Sequence, residues 1–280
     1  MKSHELSLRR QLVRRLAEIE GRGPVAELSP RSRDGNEGWA LAELIPAGQE
    51  WGGTYGACWV ASYDLRREWP GSGSLLERLR PALSGSPCNG GRGWPETWRS
   101  PTVVALDVET CGFASVPVFL IGLVESDGER LLLRQGLARD YGEEAALLAW
   151  MATCLQRAGG LITFNGRSFD LPYLRDRQRY HRQRELDELP HLDLLPVARR
   201  IWKPDLPDCR LQTLERHLTK RTRIGDIAGR DIPDVYHTFV DTGNARHIRT
   251  VLQHNRLDLI MLLELFATAW HSLNATKDEP

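Results

Sequence analysis

An α/β fold, with a mixed sheet flanked by helices, is predicted by three features of the chain after residue 100. Three strand-like runs, TVVALDV, VFLIGLV and RLLLRQ, follow one another with turn residues between them, as in an antiparallel meander. A helical segment, DYGEEAALLAWMATCLQRA, then leads to another buried strand, GLITF. The rest is mostly helical: LLPVARRIW, RLQTLERHL and a long helix near residues 244–271. Strands interleaved with helices in this way require helices to cover the apolar faces of one sheet.

Earlier in the chain, Leu8, Leu12, Leu16 and Ile19 recur at helical spacing among arginines, so residues 5–20 read as an amphipathic helix. A stretch rich in Gly, Pro and Ser follows, and then TYGACWVASYDL alternates like a strand. SLLERLRPAL reads as a short helix, and SGSPCNGGRGWPETWRSP has the composition of a linker. The expected organisation is a small N-terminal extension containing strands over residues 1–100, a main domain over 101–272 and a tail over 273–280. Within the main domain, residues 140–158 begin acidic and end basic, which complements the helix dipole. Asn165-Gly166 closes GLITF, and SFDLPYLRDRQRY continues as a helix.

At 280 residues and 41% apolar, the chain can pack one large domain with a smaller attachment. No apolar run approaches the roughly 18 residues that cross a bilayer, and MKSHELSLRRQLVRRL lacks the features of a secretory signal. Five scattered cysteines without a CxxC pair argue for reduced thiols, a cytoplasmic location and no zinc cluster. The net charge of zero hides an asymmetry. Residues 101–160 carry 4 basic and 8 acidic side chains, whereas residues 161–230 carry 15 basic and 10 acidic ones. An acidic site beside an Arg-rich segment suits an enzyme that holds cations and attracts a phosphate backbone. A compositional habit explains the arginines equally well, since only 4 of 37 basic residues are Lys.

Four carboxylates sit beside apolar residues, where unpaired charge is costly: Asp107 and Glu109 in VVALDVET, Asp170 in FNGRSFDLP, and Asp258 in QHNRLDLIML. Residues two apart in a strand share a face, so Asp107 and Glu109 project together. At about 4 Å they repel by roughly 4 kcal/mol at an effective dielectric of ~20, and a bound cation removes that cost. Taken alone, such a pair is more often a solvated strand end. Asp170 follows a buried strand, where open α/β sheets place ligands, although a carboxylate there also suits a helix N-terminus. His254 and Asp258 are four apart and share a helix face. A histidine there can accept a proton from water, or simply form a surface ion pair.

Together, DxE, Asn-x3-Phe-Asp and His-x3-Asp resemble the three motifs of the DEDD exonucleases, a branch of the ribonuclease H-like superfamily, with Asn165 and Phe169 matching beside Asp170. HLDLLPVARRIWK, CRLQTLERHL, GDIAGRDIP and HNRLDLIMLLEL are similar to the YprB-like ribonuclease H-like exonuclease family over about residues 101–270. One departure is that the third motif has the tyrosine-type spacing with His254 in place of tyrosine.

The resemblance implies a ribonuclease H-like fold and a two-metal mechanism with Mg²⁺ or Mn²⁺. Its ions would be held by Asp107, as the bridging ligand, and by Glu109, Asp170 and Asp258. It also implies that Thr110 and Asn165 touch the terminal nucleotide. Arg199, Arg200 and Lys203 are candidates for backbone phosphates, or a solvated helix face. Asp193 either caps the following helix or orients a ligand, and Trp202 reads as core. The expected activity is a 3′→5′ exonuclease acting on DNA or RNA, with no membrane partner. The alternatives are a structure-selective endonuclease of the same fold or a non-catalytic nucleic-acid-binding module.

Overall fold

The computed structural model describes residues 40–84, 98, 100, 102–112, 116–221 and 223–275. The helix expected over residues 5–20 and nearly all of the expected linker lie outside these residues. Of the two compact units of the chain, residues 1–37 and 38–280, only the second is described.

A seven-stranded sheet organises that unit, in the order β1-β2-β5-β4-β3-β6-β7. A one-turn helix α1 (Leu41–Leu44) precedes β1 (Gly48–Gly53) and β2 (Gly56–Asp64). The short helix α2 (Leu65–Glu68) and helix α3 (Ser72–Leu83) follow. The predicted meander is β3 (Val103–Thr110), β4 (Val118–Ser126) and β5 (Leu131–Leu137), antiparallel throughout. Helix α4 (Glu144–Leu155) crosses to β6 (Gly160–Thr163), which pairs parallel to β3. Helix α5 (Asp170–Tyr180) leads to β7 (His191–Asp193), parallel to β6. Helices α6 (Leu194–Trp202), α7 (Leu211–Thr219), α8 (Ile232–Thr242) and α9 (Ile248–Ala275) complete the unit.

The boundary expected near residue 100 is corrected by this topology. β2 pairs antiparallel with β5 from Trp59↔Leu137 to Asp64↔Leu132, so the early strands extend the same sheet. Without them β5 would be an open edge, with a row of unpaired backbone groups. At the other end, α9 continues past the expected limit at residue 272 to Ala275.

Alternation along β3 divides the core. Val104, Leu106 and Val108 join one apolar cluster with Leu147 and Trp150 of α4, Leu174 of α5, and Tyr236 of α8. Val103 and Ala105 join the other, with Leu79 of α3, Val197 and Trp202 of α6, and Leu259 of α9. Trp202 is therefore core, 7% exposed. Asp107 and Glu109 share the parity of Val103 and Ala105, so they project on the side covered by α9. Helix α9 comes close to the sheet at Gly122, the partner of Asp107 on β4. A methyl carbon at Gly122 would lie 2.1 Å from Asn255 Oδ1 and 2.6 Å from Leu259 Cδ1.

The other face is tied by Glu144, the first residue of α4 and 1% exposed. Its carboxylate accepts from the Val118 N–H at 2.8 Å and from Arg177 Nη2 at 2.5 Å, and lies 2.7 Å from His181 Nε2. The acidic helix start legible in the sequence is thus also a buried link from β4 to α5, the helix that begins at Asp170. No described helix is long and apolar enough to cross a membrane. The described cysteines, Cys58, Cys111, Cys154 and Cys209, are free thiols.

Candidate active site

β3, α5 and α9 bring the four predicted carboxylates into one another's electrostatic field. Burial raises the Asp107 carboxyl well above the usual carboxylate range, and the charges of Glu109, Asp258 and Asp170 add to it. Glu109 is pushed up to about 8, first by burial and then by Asp258, Asp170 and Asp226. Asp170, at the first turn of α5, rises to about 7; burial dominates, its own backbone N–H opposes, and Asp193 contributes. Acids from residues 107, 109, 170 and 258 therefore repel one another across a common, poorly solvated space.

On α9, Asp258 Oδ1 lies 2.6 Å from Arg223 Nη2, and Asp258 Oδ2 lies 3.5 Å from His254 Nε2. Arg223 also reaches Glu215 Oε2 at 2.6 Å and Asp226 Oδ2 at 3.1 Å. The angles at the Asp258 contact leave both Asp258 Oδ1 and Arg223 Nη2 without a well-formed hydrogen bond, although both are buried. His254, 6% exposed, places Nδ1 2.9 Å from Asp226 Oδ1. An N–H on Nδ1 donating to that carboxylate leaves Nε2 as the acceptor on the Asp258 side.

Asp193 caps the following helix, one of the two roles read from the sequence, and also holds the turn before α5. Its Oδ1 accepts from Leu195 N at 3.0 Å, which caps α6, and from Asn165 N at 2.8 Å. Its Oδ2 accepts from Arg167 N at 3.1 Å. One buried carboxylate thereby pins the turn that enters α5 at Asp170. Asn165 holds the left-handed conformation in that turn (φ 66°), tolerable for Asn, and its side chain is exposed. The Thr110 hydroxyl donates to Gly112 O at 2.7 Å within the turn after β3. Arg199, Arg200 and Lys203 are exposed on α6 and the turn after it, outside the buried cluster.

Four contributors escaped the sequence reading. Asn255 Nδ2 donates to Asp107 Oδ2 at 2.8 Å, and Gln135 Nε2 donates to Asn255 Oδ1 at 2.8 Å. Arg223 and Asp226 are the other two. The available signals were a polar residue on the sheet-facing side of α9, a glutamine in a buried strand, and charged residues flanking Gly225.

The donor set is suited to a divalent cation, because carboxylate oxygens match hard ions and the mutual repulsion is what such an ion relieves. Asp258 Oδ1 retains acceptor capacity that the Arg223 contact does not satisfy. As the side chains stand, no three described His, Cys, Asp or Glu groups enclose a cation site; Asp258 is drawn toward Arg223 instead.

A family model described as the RNase_H superfamily matches residues 104–270, more than half of the chain. The chain belongs to the RNase H superfamily. Members are generally hydrolytic nucleases that use divalent metal ions. This RNase H-superfamily chain is 32% identical over 165 residues to the uncharacterized protein YprB of Bacillus subtilis (strain 168). The match covers 57% of this chain and 40% of that relative's length. A family B DNA polymerase from the hyperthermophilic archaeon Pyrobaculum calidifontis aligns with a TM-score of 0.47 and 15% identity. That alignment covers 59% of this chain and 24% of the polymerase.

Proposed function

We propose that this RNase H-superfamily domain is a metal-dependent 3′→5′ exonuclease that hydrolyses phosphodiester bonds of nucleic acid by a two-metal mechanism. The observation that carries the reading is the convergence of Asp107, Glu109, Asp170 and Asp258 from three separate segments, where burial and neighbouring acids push the carboxyls of Asp107, Glu109 and Asp170 above the usual range. Acids that repel at such cost make chemical sense where cations are recruited.

Asp107, Glu109, Asp170 and Asp258 would hold Mg²⁺ or Mn²⁺. Such ions supply charge to a scissile phosphate and acidify water. The chain's own groups do the rest. His254 Nε2 accepts the proton of the attacking water, while Asp226 fixes the imidazole in the required tautomer. Arg223 balances Asp258, Asp226 and Glu215, and so holds Asp258 beside His254. Thr110 and Asn165 flank the terminal nucleotide, and the exposed Arg199, Arg200 and Lys203 take backbone phosphates.

Incubation with 5′-labelled single strands, duplexes and RNA, in Mn²⁺, Mg²⁺ or chelator, tests the proposal. A ladder shortening stepwise from the 3′ end is the expected result. Cleavage of a circular substrate would replace the exonuclease with an endonuclease. Binding without products in every metal would leave a non-catalytic module.

A further inference from the structure

Asn255 is fully buried and Gln135 is 4% exposed, and both lie between α9 and the sheet. Gln135 Nε2 donates its two protons at 2.8 Å, one to Leu252 O and one to Asn255 Oδ1. That leaves the Asn255 amide one orientation. Its oxygen faces Gln135, and its nitrogen donates to Asp107 Oδ2 at 2.8 Å, with a longer approach of 3.4 Å to Asp107 O. A flipped amide would set NH₂ against NH₂ at one end and oxygen against a carboxylate at the other. The path from β5 to the acid therefore has a fixed direction. Gly122 provides the clearance that lets the amide sit there, since any side chain would strike Asn255 Oδ1.

We propose that Gln135 and Asn255 form a relay of positioning residues that holds the Asp107 carboxylate, by its Oδ2, in the orientation in which it receives a divalent cation. The inference rests on the metal-dependent reading of this site and extends it from the ligands to the groups behind them. Neither amide touches substrate. The relay removes rotational freedom from the acid at the centre of the quartet and satisfies one of its lone pairs, leaving the others for the ion.

The test is titration of the full chain with Mn²⁺ alone, free ion being read by electron paramagnetic resonance. It is run for wild type, Asn255→Ala, Gln135→Met and the double variant, with thermal melts in chelator reporting folding. Asn255→Ala is expected to weaken Mn²⁺ binding about 10–100-fold. Gln135→Met preserves side-chain volume and releases the amide to flip, so its loss should be smaller. The double variant should bind no more weakly than Asn255→Ala, because both act on one path. Unchanged affinity in folded Asn255→Ala, or losses that simply add, would overturn the relay. If Asn255→Ala does not fold, Gln135→Met decides alone, and unchanged affinity there overturns the relay too. A wild type that binds no Mn²⁺ overturns the metal-dependent reading and the relay with it. A wild type that binds and cleaves, with variants equal to it in affinity, overturns the relay only.

Discussion

Charge on Asp107 is poorly tolerated without a cation, because burial and three neighbouring acids act on it together. Asp107→Asn keeps the shape and can still accept from Asn255, so two opposite outcomes are expected. Nuclease turnover is lost, while the metal-free protein melts higher, by about 2–4 °C for each kcal/mol of repulsion relieved. Equal turnover in a labelled-strand assay would remove Asp107 from the proposed ligands. His254 is oriented by its contact with Asp226, 2.9 Å from Nδ1. His254→Ala should lower kcat by about 10²–10⁴-fold and change the shape of the pH–rate curve. A profile parallel to wild type would mean another group takes the proton. Asp107 and His254 were legible in the sequence, because strand and helix periodicities are local rules; Asp226 was not. Asn255 and Gln135 were not, although Asn255 is adjacent to His254. A hydrogen bond across α9 and β5 depends on which elements face each other, and spacing along the chain is silent on that.

At the scale of elements, the helices and strands with strong periodicity were readable: the meander, α4, α6, α7 and most of α9. The weak elements were not. β1 is GQEWGG, with three glycines and little β-forming tendency, and β7 spans only His191–Asp193. Both exist because a neighbouring strand offers an edge, which is a tertiary cause. The turn between β6 and α5 shows the same dependence. Its shape is held by Asp193, which lies 28 residues from Asn165 in sequence. Asp193→Ala removes the cap of α6 and two anchors of that turn at once. A loss of about 0.5–2 kcal/mol is expected from the cap alone, with more from the stranded backbone N–H groups. Urea denaturation measures the total. Nuclease activity should fall further than stability does, since Asp170 loses its fixed approach. Parallel declines would restrict Asp193 to capping.

For the whole molecule, the acid cluster makes stability depend on pH in an unusual direction. Glu109 near 8 and Asp170 near 7 bind protons more tightly in the folded chain than in the unfolded one. Their contribution is fully present below the unfolded values, about 4, and is lost as pH rises through the folded values near 7 and 8. Metal-free protein should therefore melt progressively lower between pH 5 and 9, on the order of a few degrees, and Mn²⁺ should flatten the curve. Calorimetric melts in chelator and in Mn²⁺ measure this. A metal-free curve that rises over this range would contradict the burial of these acids. The extent of the sheet was the feature least visible beforehand. TYGACWVASYDL reads as a strand, yet nothing in it announces that its partner is β5, which it meets from Trp59↔Leu137 to Asp64↔Leu132.

Helix α9 begins only at Ile248, and it carries Asp258, His254 and Asn255. A nascent chain synthesised as far as residue 247 already holds every described strand of the sheet, with Asp107, Glu109 and Asp170, but none of these three partners. Until α9 docks, the site is missing one acid, its histidine and the amide behind Asp107. The order of synthesis thus delays assembly of the site until nearly all of the scaffold is available to enclose it.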